Sequence, residues 1–263
     1  MRADLYLATF GYADSRQKAS LYIKNGVVSI DSRKILKPSA EIDEKQEHTV
    51  LVEFTESDIY VSRGALKLRS AIDAFGINVT ENVCVDIGAS TGGFTDCLLQ
   101  NGASKVYAYD SGRNQLHSKI ASNPRVISRE GFNARFITSD DVGEPADIVV
   151  MDVSFISQTL IIPNIPNLLK EGGIFVSLVK PQFEAGKQAL GKNGIVKKKE
   201  DKLAAIERVL RAASDSGLCP MGIIPSPIKG GDGNEEYLIY FIKKPGGSDK
   251  MIEIQLSAKN MLK

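Results

Sequence analysis

The sequence predicts a doubly wound α/β sheet, mostly parallel with an antiparallel last strand, preceded by a small α+β domain. Three observations predict it. From residue 83 onward, short apolar runs alternate with helical patterns, the arrangement of a sheet covered by helices. Several of those runs are continuously apolar, as strands buried on both faces are. The last two runs are separated by the Gly230–Asn234 loop, which leaves no room for a helical crossover and makes that pair antiparallel.

The elements follow in order. Arg2–Phe10 carries Leu5, Leu7, Ala8 and Phe10 and stops at Gly11, a short helix. Asp14-Ser15 caps a second helix with Ala19, Leu21, Tyr22 and Ile23 on its buried side and Asn25-Gly26 as its stop. Val27–Ile30 reads as a strand and Asp31-Ser32 as a turn. Asp58–Arg63 is a polar connector. Leu66, Leu68, Ala71, Ile72 and Phe75 then mark an amphipathic helix that closes at Gly76. Candidate strands are Val83–Gly88, Lys105–Asp110, Arg125–Glu130, Asp147–Asp152, Gly173–Lys180, Met221–Ile228 and Glu236–Lys244, with helical patterns such as Phe94–Asn101 and Lys202–Ser216 between them. Phe183–Lys199, rich in Gly and Lys, reads as a mobile surface loop. The expected division is a domain at 1–59, a linker at 60–63, a main domain at 64–245 and a tail at 246–263.

Composition narrows the function classes. With 263 residues, 43% of them hydrophobic, the chain can bury a substantial core. It contains no apolar run of membrane-spanning length. The first residues include Arg2 and Asp4 and lack a signal-peptide apolar region, so the expected compartment is the cytoplasm. Cys84, Cys97 and Cys219 form no CxxC pair, and His48 and His117 lie far apart; neither a disulfide framework nor a metal site is expected. Net charge is +1, but residues 1–37 hold seven Lys/Arg against three acids, and residues 41–58 hold seven acids against one lysine. On charge alone, a local phosphate-binding patch and a solvated helical surface are equally good readings.

The sharpest local signal is Val83–Thr95, V-C-V-D-I-G-A-S-T-G-G-F-T, a buried strand running through a glycine turn into a helix. Open α/β sheets bind ligands at the carboxyl ends of their strands, and a carboxylate at the end of the next strand, Asp110, can accept ribose hydroxyls. A dinucleotide fold is the competing reading. Its fingerprint needs a second glycine where Ser90 stands, and Asp86 just before the loop disfavours a diphosphate. S-adenosyl-L-methionine carries a sulfonium, an ammonium and no phosphate, so it suits the loop better. The candidate cofactor residues are Asp86, Gly88, Ala89, Ser90, Thr91, Gly92, Gly93, Phe94, Asp110 and Asn133.

Four ionisable residues fall where the sheet would present a substrate. Lys67 lies on the entry helix, Asp152 and Lys180 end two otherwise apolar strands, and Glu236 opens the last strand. A charge at such a strand end is costly unless paired or solvated. One such residue is an ordinary boundary; four beside a glycine loop form a candidate catalytic set.

These stretches are familiar in combination. V-S-R-G-A-L-K-L (Val61–Leu68), D-I-G-A-S-T-G-G-F-T-D (Asp86–Asp96), M-D-V-S-F-I-S (Met151–Ser157), V-K-P-Q-F-E (Val179–Glu184) and G-N-E-E-Y (Gly233–Tyr237) resemble the TlyA family, sometimes called haemolysin A, over essentially the whole chain. The carboxy-terminal part also resembles FtsJ-type ribose methyltransferases. The resemblance implies a Rossmann-like class I methyltransferase sheet and a Lys-Asp-Lys-Glu tetrad, matched here by Lys67, Asp152, Lys180 and Glu236. R-A-D-L-Y-L-A-T-F-G (Arg2–Gly11), S-R-Q-K-A (Ser15–Ala19) and I-K-N-G-V-V-S-I-D (Ile23–Asp31) resemble the small RNA-binding domain of ribosomal protein S-four. That likeness implies RNA contacts, with Arg2, Arg16, Lys18, Lys24 and Arg63 as the candidates. One departure is Tyr109-Asp110-Ser111-Gly112, where the family has a smaller residue and then D-V-G.

The implied reaction is methylation of a cytidine 2′-hydroxyl in ribosomal RNA. The chain begins almost at its first helix, without the basic leader of dual-specificity relatives, so the large subunit is the expected target, with the small subunit as a further one. A ribose hydroxyl is a weak nucleophile, and a lysine can orient its oxygen and take its proton. Lys180 is assigned to the 2′-oxygen and Asp152 to its partner near the methyl. Lys67 and Glu236 are expected to orient the set, and a second lysine nearby to ease proton acceptance by like-charge repulsion. The alternatives are a non-catalytic RNA-binding or ribosome-assembly protein and a haemolysin.

Overall fold

The computed structural model describes residues 1–53, 59–231, 233–244 and 250–262. The chain divides into two compact units, Met1–Ile59 and Tyr60–Lys263.

The first unit opens with the helices Ala3–Thr9 and Arg16–Lys24. Ser15 caps the second by accepting from the Lys18 amide at 3.2 Å, as its sequence suggests. Three short strands follow, β1 (Val28–Ile30), β2 (Arg33–Lys34) and β3 (Val50–Val52), in the antiparallel order β2-β1-β3. Asp31 and Ser32 both take positive φ in the tight turn between β1 and β2. Ala3, Leu7, Ala19, Ile23, Val28 and Ile30 form the core of this unit. The acidic run 41–58 and the connector Asp58–Arg63 extend into residues 54–58, outside the described residues.

The second unit is built on a seven-stranded sheet: β4 (Val83–Ile87), β5 (Lys105–Asp110), β6 (Val126–Glu130), β7 (Ala146–Met151), β8 (Leu169–Val179), β9 (Leu218–Pro225) and β10 (Tyr237–Lys243). Their order is β6-β5-β4-β7-β8-β10-β9. β4 pairs in parallel with β5 and β7, and β7 with β8, whereas β10 runs antiparallel to both β8 and β9. The order reverses at β4, which places the ligand crevice at the carboxyl ends of β4, β5 and β7.

Alternation along the strands supplies both faces with apolar side chains. Val85, Ile87, Val149, Met151, Phe175, Val179, Ile239 and Phe241 share one core with the helices Lys199–Asp215 and Met251–Met261. Cys84, Ile148, Val150, Val176, Leu178 and Leu238 share the other with the helices Gly64–Phe75 and Gly93–Gln100. Residues of even number face the second pair of helices on β4, β7, β8 and β10 alike.

Three expectations are corrected. The expected linker 60–63 belongs to the second unit: Tyr60 and Val61 pack on its core, and the Val61 amide donates to Asp96 at 2.8 Å. The expected tail 246–263 carries the helix Met251–Met261, which packs on β9 and buries Ile254, Ala258 and Leu262; residues 245–249 lie outside the described residues. Phe183–Lys199, expected to be a mobile loop, is pinned at Gly194 and Val196. The Val196 amide donates to the Asn234 side chain at 3.0 Å, and Asn234 donates to the Gly194 carbonyl at 3.2 Å.

Candidate active site

The glycine loop begins where β4 ends. The Gly88 and Ala89 amides both donate to the Tyr109 carbonyl, at 2.8 and 3.1 Å, which turns the chain over the end of β5. Gly88 has φ +87, and a Cβ there would collide with the Asp152 carbonyl. A Cβ on Gly93 would collide with the Ser62 hydroxyl. Both glycines are therefore required by packing within the protein, β4 against the end of β7 and the helix start against the 60–64 segment. The sequence alone had suggested only approach of a ligand. Gly92, at φ +92, caps the helix Gly93–Gln100 and faces Leu116 and Ile120.

Gly88, Ala89, Ser90, Thr91, Gly93 and Phe94 line a cavity of about 230 Å³ together with Ser62, Gly64, Asp152, Ser154 and Lys180. The remaining candidate cofactor residues, Asp86, Gly92, Asp110 and Asn133, are not in the cavity lining. Asp110 accepts from the Ser90 amide at 2.8 Å and from the Gly112 amide at 2.6 Å. The backbone donor that a diphosphate would use is thus already engaged, while the carboxylate keeps free lone pairs for hydroxyls. Asn133 is exposed, and its side-chain oxygen is occupied by the Arg135 amide at 3.1 Å. It is not among the residues that line the cavity, and the amide of its neighbour Phe132 donates to the Asp110 carbonyl at 2.8 Å.

Asp86 is fully buried. One oxygen accepts from the Thr95 hydroxyl at 2.6 Å and the other has no partner. Burial pushes its carboxyl up to about 7; the nearby charges of Asp152 and Asp110 add to the shift, and the Thr95 bond opposes it. A buried acid with an unmatched oxygen, two further carboxylates close by and an engaged Ser90 amide suit a cationic nucleoside ligand. S-adenosylmethionine, with its sulfonium, ammonium and ribose, fits that donor set.

The catalytic candidates converge by strand parity and strand direction. Asp152 follows β7, Lys180 follows β8, and these strands are neighbours. Because β10 is antiparallel, its first residue, Tyr237, pairs with Val179 at the end of β8, which brings Glu236 to the same rim as Lys180. Glu236 reaches the helix Gly64–Phe75, which carries Lys67, while Asp152 and Lys180 line the cavity together with Gly64 at the start of that helix. Lys180 Nζ lies 2.6 Å from Asp152 Oδ1 and donates to Ser154 Oγ at 2.8 Å. Lys67 Nζ donates to Glu236 Oε2 at 2.6 Å, a contact buried on both sides. Gly230 leaves no room for a Cβ beside the Glu236 carboxylate. Each ammonium meets a carboxylate, Lys180 with Asp152 and Lys67 with Glu236.

Sequence reasoning missed several residues here. Ser154 lines the cavity and holds Lys180; the motif M-D-V-S-F-I-S contained it, but a serine after a strand has no signal of its own. Phe155 is 92% exposed with φ +63, and its ring centroid lies 5.2 Å from that of Phe183. A large side chain in that backbone region is strained. Ser62 and Thr95 were passed over for the same reason as Ser154.

Of the RNA candidates, Arg2 and Arg16 converge on Asp4. Arg2 donates to its two oxygens at 3.1 and 2.9 Å and Arg16 to one at 3.1 Å. The Arg2 hydrogen bond is the main cause that holds the Asp4 carboxyl down at about 2, burial opposes it, and Arg16 adds to it. Lys18 is drawn instead to Asp14 at 2.7 Å. Lys24 is exposed at the end of its helix, and Arg63 is exposed between Ser62 and Gly64. Among the described residues, no cluster of three or more His, Cys, Asp or Glu could hold a metal, and no helix is long and apolar enough to cross a membrane.

The sheet, the cavity and its charge pattern define an S-adenosylmethionine-dependent methyltransferase. The FtsJ-like methyltransferase family matches residues 60–243, and the chain belongs to that family. It is 40% identical over 240 residues to the 16S/23S rRNA (cytidine-2′-O)-methyltransferase TlyA of Mycobacterium tuberculosis, covering 91% of this chain and 88% of that protein. It is 41% identical over 189 residues to the 23S rRNA (cytidine-2′-O)-methyltransferase TlyA of Campylobacter jejuni, covering 71% of this chain and 72% of that one. A solved structure of a candidate hemolysin from Streptococcus thermophilus superposes with a TM-score of 0.73 at 38% identity, over 99% of this chain and 96% of the other.

Proposed function

We propose that this protein transfers a methyl group from S-adenosylmethionine to the 2′-hydroxyl of a cytidine in large-subunit ribosomal RNA, acting in the cytoplasm. The observation that carries the reading is the Lys180–Asp152–Ser154 cluster on the wall of the same cavity as the glycine loop. Relatives at about this level of identity bear names for that reaction on ribosomal RNA.

When bound, the cofactor supplies an electrophilic methyl on a sulfonium. The chain's residues do the rest. An ammonium has three donors; Ser154 engages one of those of Lys180, and Asp152 Oδ1, 2.6 Å away, pairs with its charge without accepting a hydrogen bond, so donors remain for the ribose oxygen. As the methyl bond forms, that oxygen must lose its proton; Lys180 takes it as it releases one of its own to Asp152 Oδ1, 2.6 Å away. The buried Lys67–Glu236 pair flanks the site at β10 and orients it. Phe155, exposed beside Phe183, offers a face for base stacking. In the first unit, Arg2, Arg16, Lys18 and Lys24, with Arg63 at the start of the second, are the proposed phosphate contacts, which position RNA rather than read it. Residues 1–59 are accordingly read as an S-four-type RNA-binding domain. Neither a non-catalytic assembly role nor haemolysis is favoured, since the two lysines and two acids proposed for catalysis are all present and form two close ion pairs, which supports an enzyme.

The test is methylation of ribosomal subunits from a strain lacking this protein, with labelled cofactor and mapping of the product. Label on a cytidine ribose supports the reading, and label on bases alone overturns it. Lys180→Ala is expected to slow transfer about a hundredfold to ten-thousandfold, the range of lost acid–base and positioning catalysis, while calorimetry still detects cofactor binding.

A further inference from the structure

Two motifs at the rim of the sheet end in residues that the proposed chemistry leaves unused: Ser157 in M-D-V-S-F-I-S and Glu184 in V-K-P-Q-F-E. They meet. Glu184, 1% exposed, accepts from Ser157 Oγ at 2.5 Å on one oxygen and from the Gln158 amide at 2.8 Å on the other. Its own carbonyl accepts from the Arg208 guanidinium at 2.5 Å. Gln158, also 1% exposed, donates to the Leu178 carbonyl at 2.7 Å and accepts from the Ser177 hydroxyl.

We infer that Glu184 is a positioning residue that latches the segment after β7 onto the turn after β8. Both segments carry the reacting groups. Lys180 immediately precedes the turn Pro181–Glu184, and Asp152, Ser154 and Phe155 precede Ser157. Between the latch and the strand ends lie the Lys180–Ser154 bond and the Phe155–Phe183 contact. The latch therefore sets which direction the Lys180 ammonium presents to the cavity. It also holds Phe155 in its positive-φ conformation, which an unanchored loop would relax. A buried carboxylate is a costly way to fill space, and an apolar side chain would pack there without desolvation. What the acid adds is two acceptors at a fixed separation, one for a side chain and one for a backbone amide.

The inference rests on the ribose methylation proposed above, and the experiment separates the two. Wild-type protein and the variants Glu184→Ala, Glu184→Gln and Ser157→Ala are compared on ribosomal subunits from a strain lacking the protein, with tritiated S-adenosylmethionine. If the wild type labels no ribose, the proposed reaction fails. If it does, Glu184→Ala is expected to lower kcat about tenfold to a hundredfold, as misplacement of reacting groups does, with cofactor Kd unchanged within about twofold. Glu184→Gln keeps the acceptor for the Gln158 amide and an amide partner for Ser157, so it should recover kcat to within about threefold of wild type. A kcat for Glu184→Ala within about twofold of wild type would overturn the latch, as would a loss matched by lost cofactor affinity. Should Glu184→Ala not fold, as judged by circular dichroism, Ser157→Ala decides: a drop of about threefold or more in kcat with cofactor Kd retained supports the latch, and an unchanged kcat overturns it.

Discussion

Asp86, proposed above as a cofactor residue, would couple ligand binding to pH through a single carboxyl. Burial pushes its carboxyl up to about 7, the Thr95 hydrogen bond opposes the shift, and the charges of Asp152 and Asp110 add to it. The sign follows from the raised value. The protonated form is favoured in the fold, so the stability it contributes is present below the ordinary carboxylate range and lost as pH rises through about 7. A cationic ligand favours the carboxylate and draws the proton off. Cofactor affinity should therefore rise with pH, by up to about tenfold per unit below the titration, and binding near neutrality should release a proton. Calorimetry in buffers of different ionisation enthalpy measures both; a Kd that does not change from about pH 6 to 8 would sink the coupling. The acid was legible in D-I-G-A-S-T-G-G as a residue type. Its unmatched oxygen was not, because that depends on which side chains arrive from Thr95 and from β7. Gly88 repeats the lesson: its identity could be read, yet its reason, the Asp152 carbonyl, lies on another strand.

At the scale of elements, the strands were the easiest to read and the ends of the chain the hardest. Continuous apolar runs mark β4, β5, β7, β8 and β10 because both faces of each are covered. The helix Met251–Met261 is hard to see in the sequence: it follows a Pro-Gly-Gly-Ser stretch and alternates apolar with polar residues in a short span, and docking on β9 makes it a helix of the core. The loops were also opaque, since what pins them is a side chain elsewhere. Asn234 is the instance with a measurable consequence. It is 2% exposed and ties Gly194 and Val196 to the turn that delivers Glu236. Asn234→Ala would leave the buried Val196 amide unpaired and is expected to cost about 1–3 kcal/mol in denaturant unfolding, the usual penalty of an orphaned buried donor. A loss below about 0.5 kcal/mol would show that the loop finds other partners.

Across the whole molecule the net charge of +1 hides its distribution. The basic residues of the first unit include a pair, Arg2 and Arg16, preorganised on Asp4 with both side chains still about half exposed. If they contact phosphates, replacing both with glutamine should weaken RNA binding and lower the slope of log affinity against log salt by about 1 to 2. Cofactor affinity should not change. Binding titrations over a series of KCl concentrations read the slope; one that stays at the wild-type value would remove these arginines from the interface. The chain divides between Ile59 and Tyr60, within the polar stretch Asp58–Arg63 of the sequence. The Lys67–Glu236 contact, by contrast, joins residues 169 positions apart, and β10 must be inserted between β8 and β9 before it can form. A nascent chain thus exposes its cofactor loop well before translation supplies Glu236. On the proposed chemistry, an enzyme assembled in that order stays chemically silent until the ribosome making it has passed Glu236.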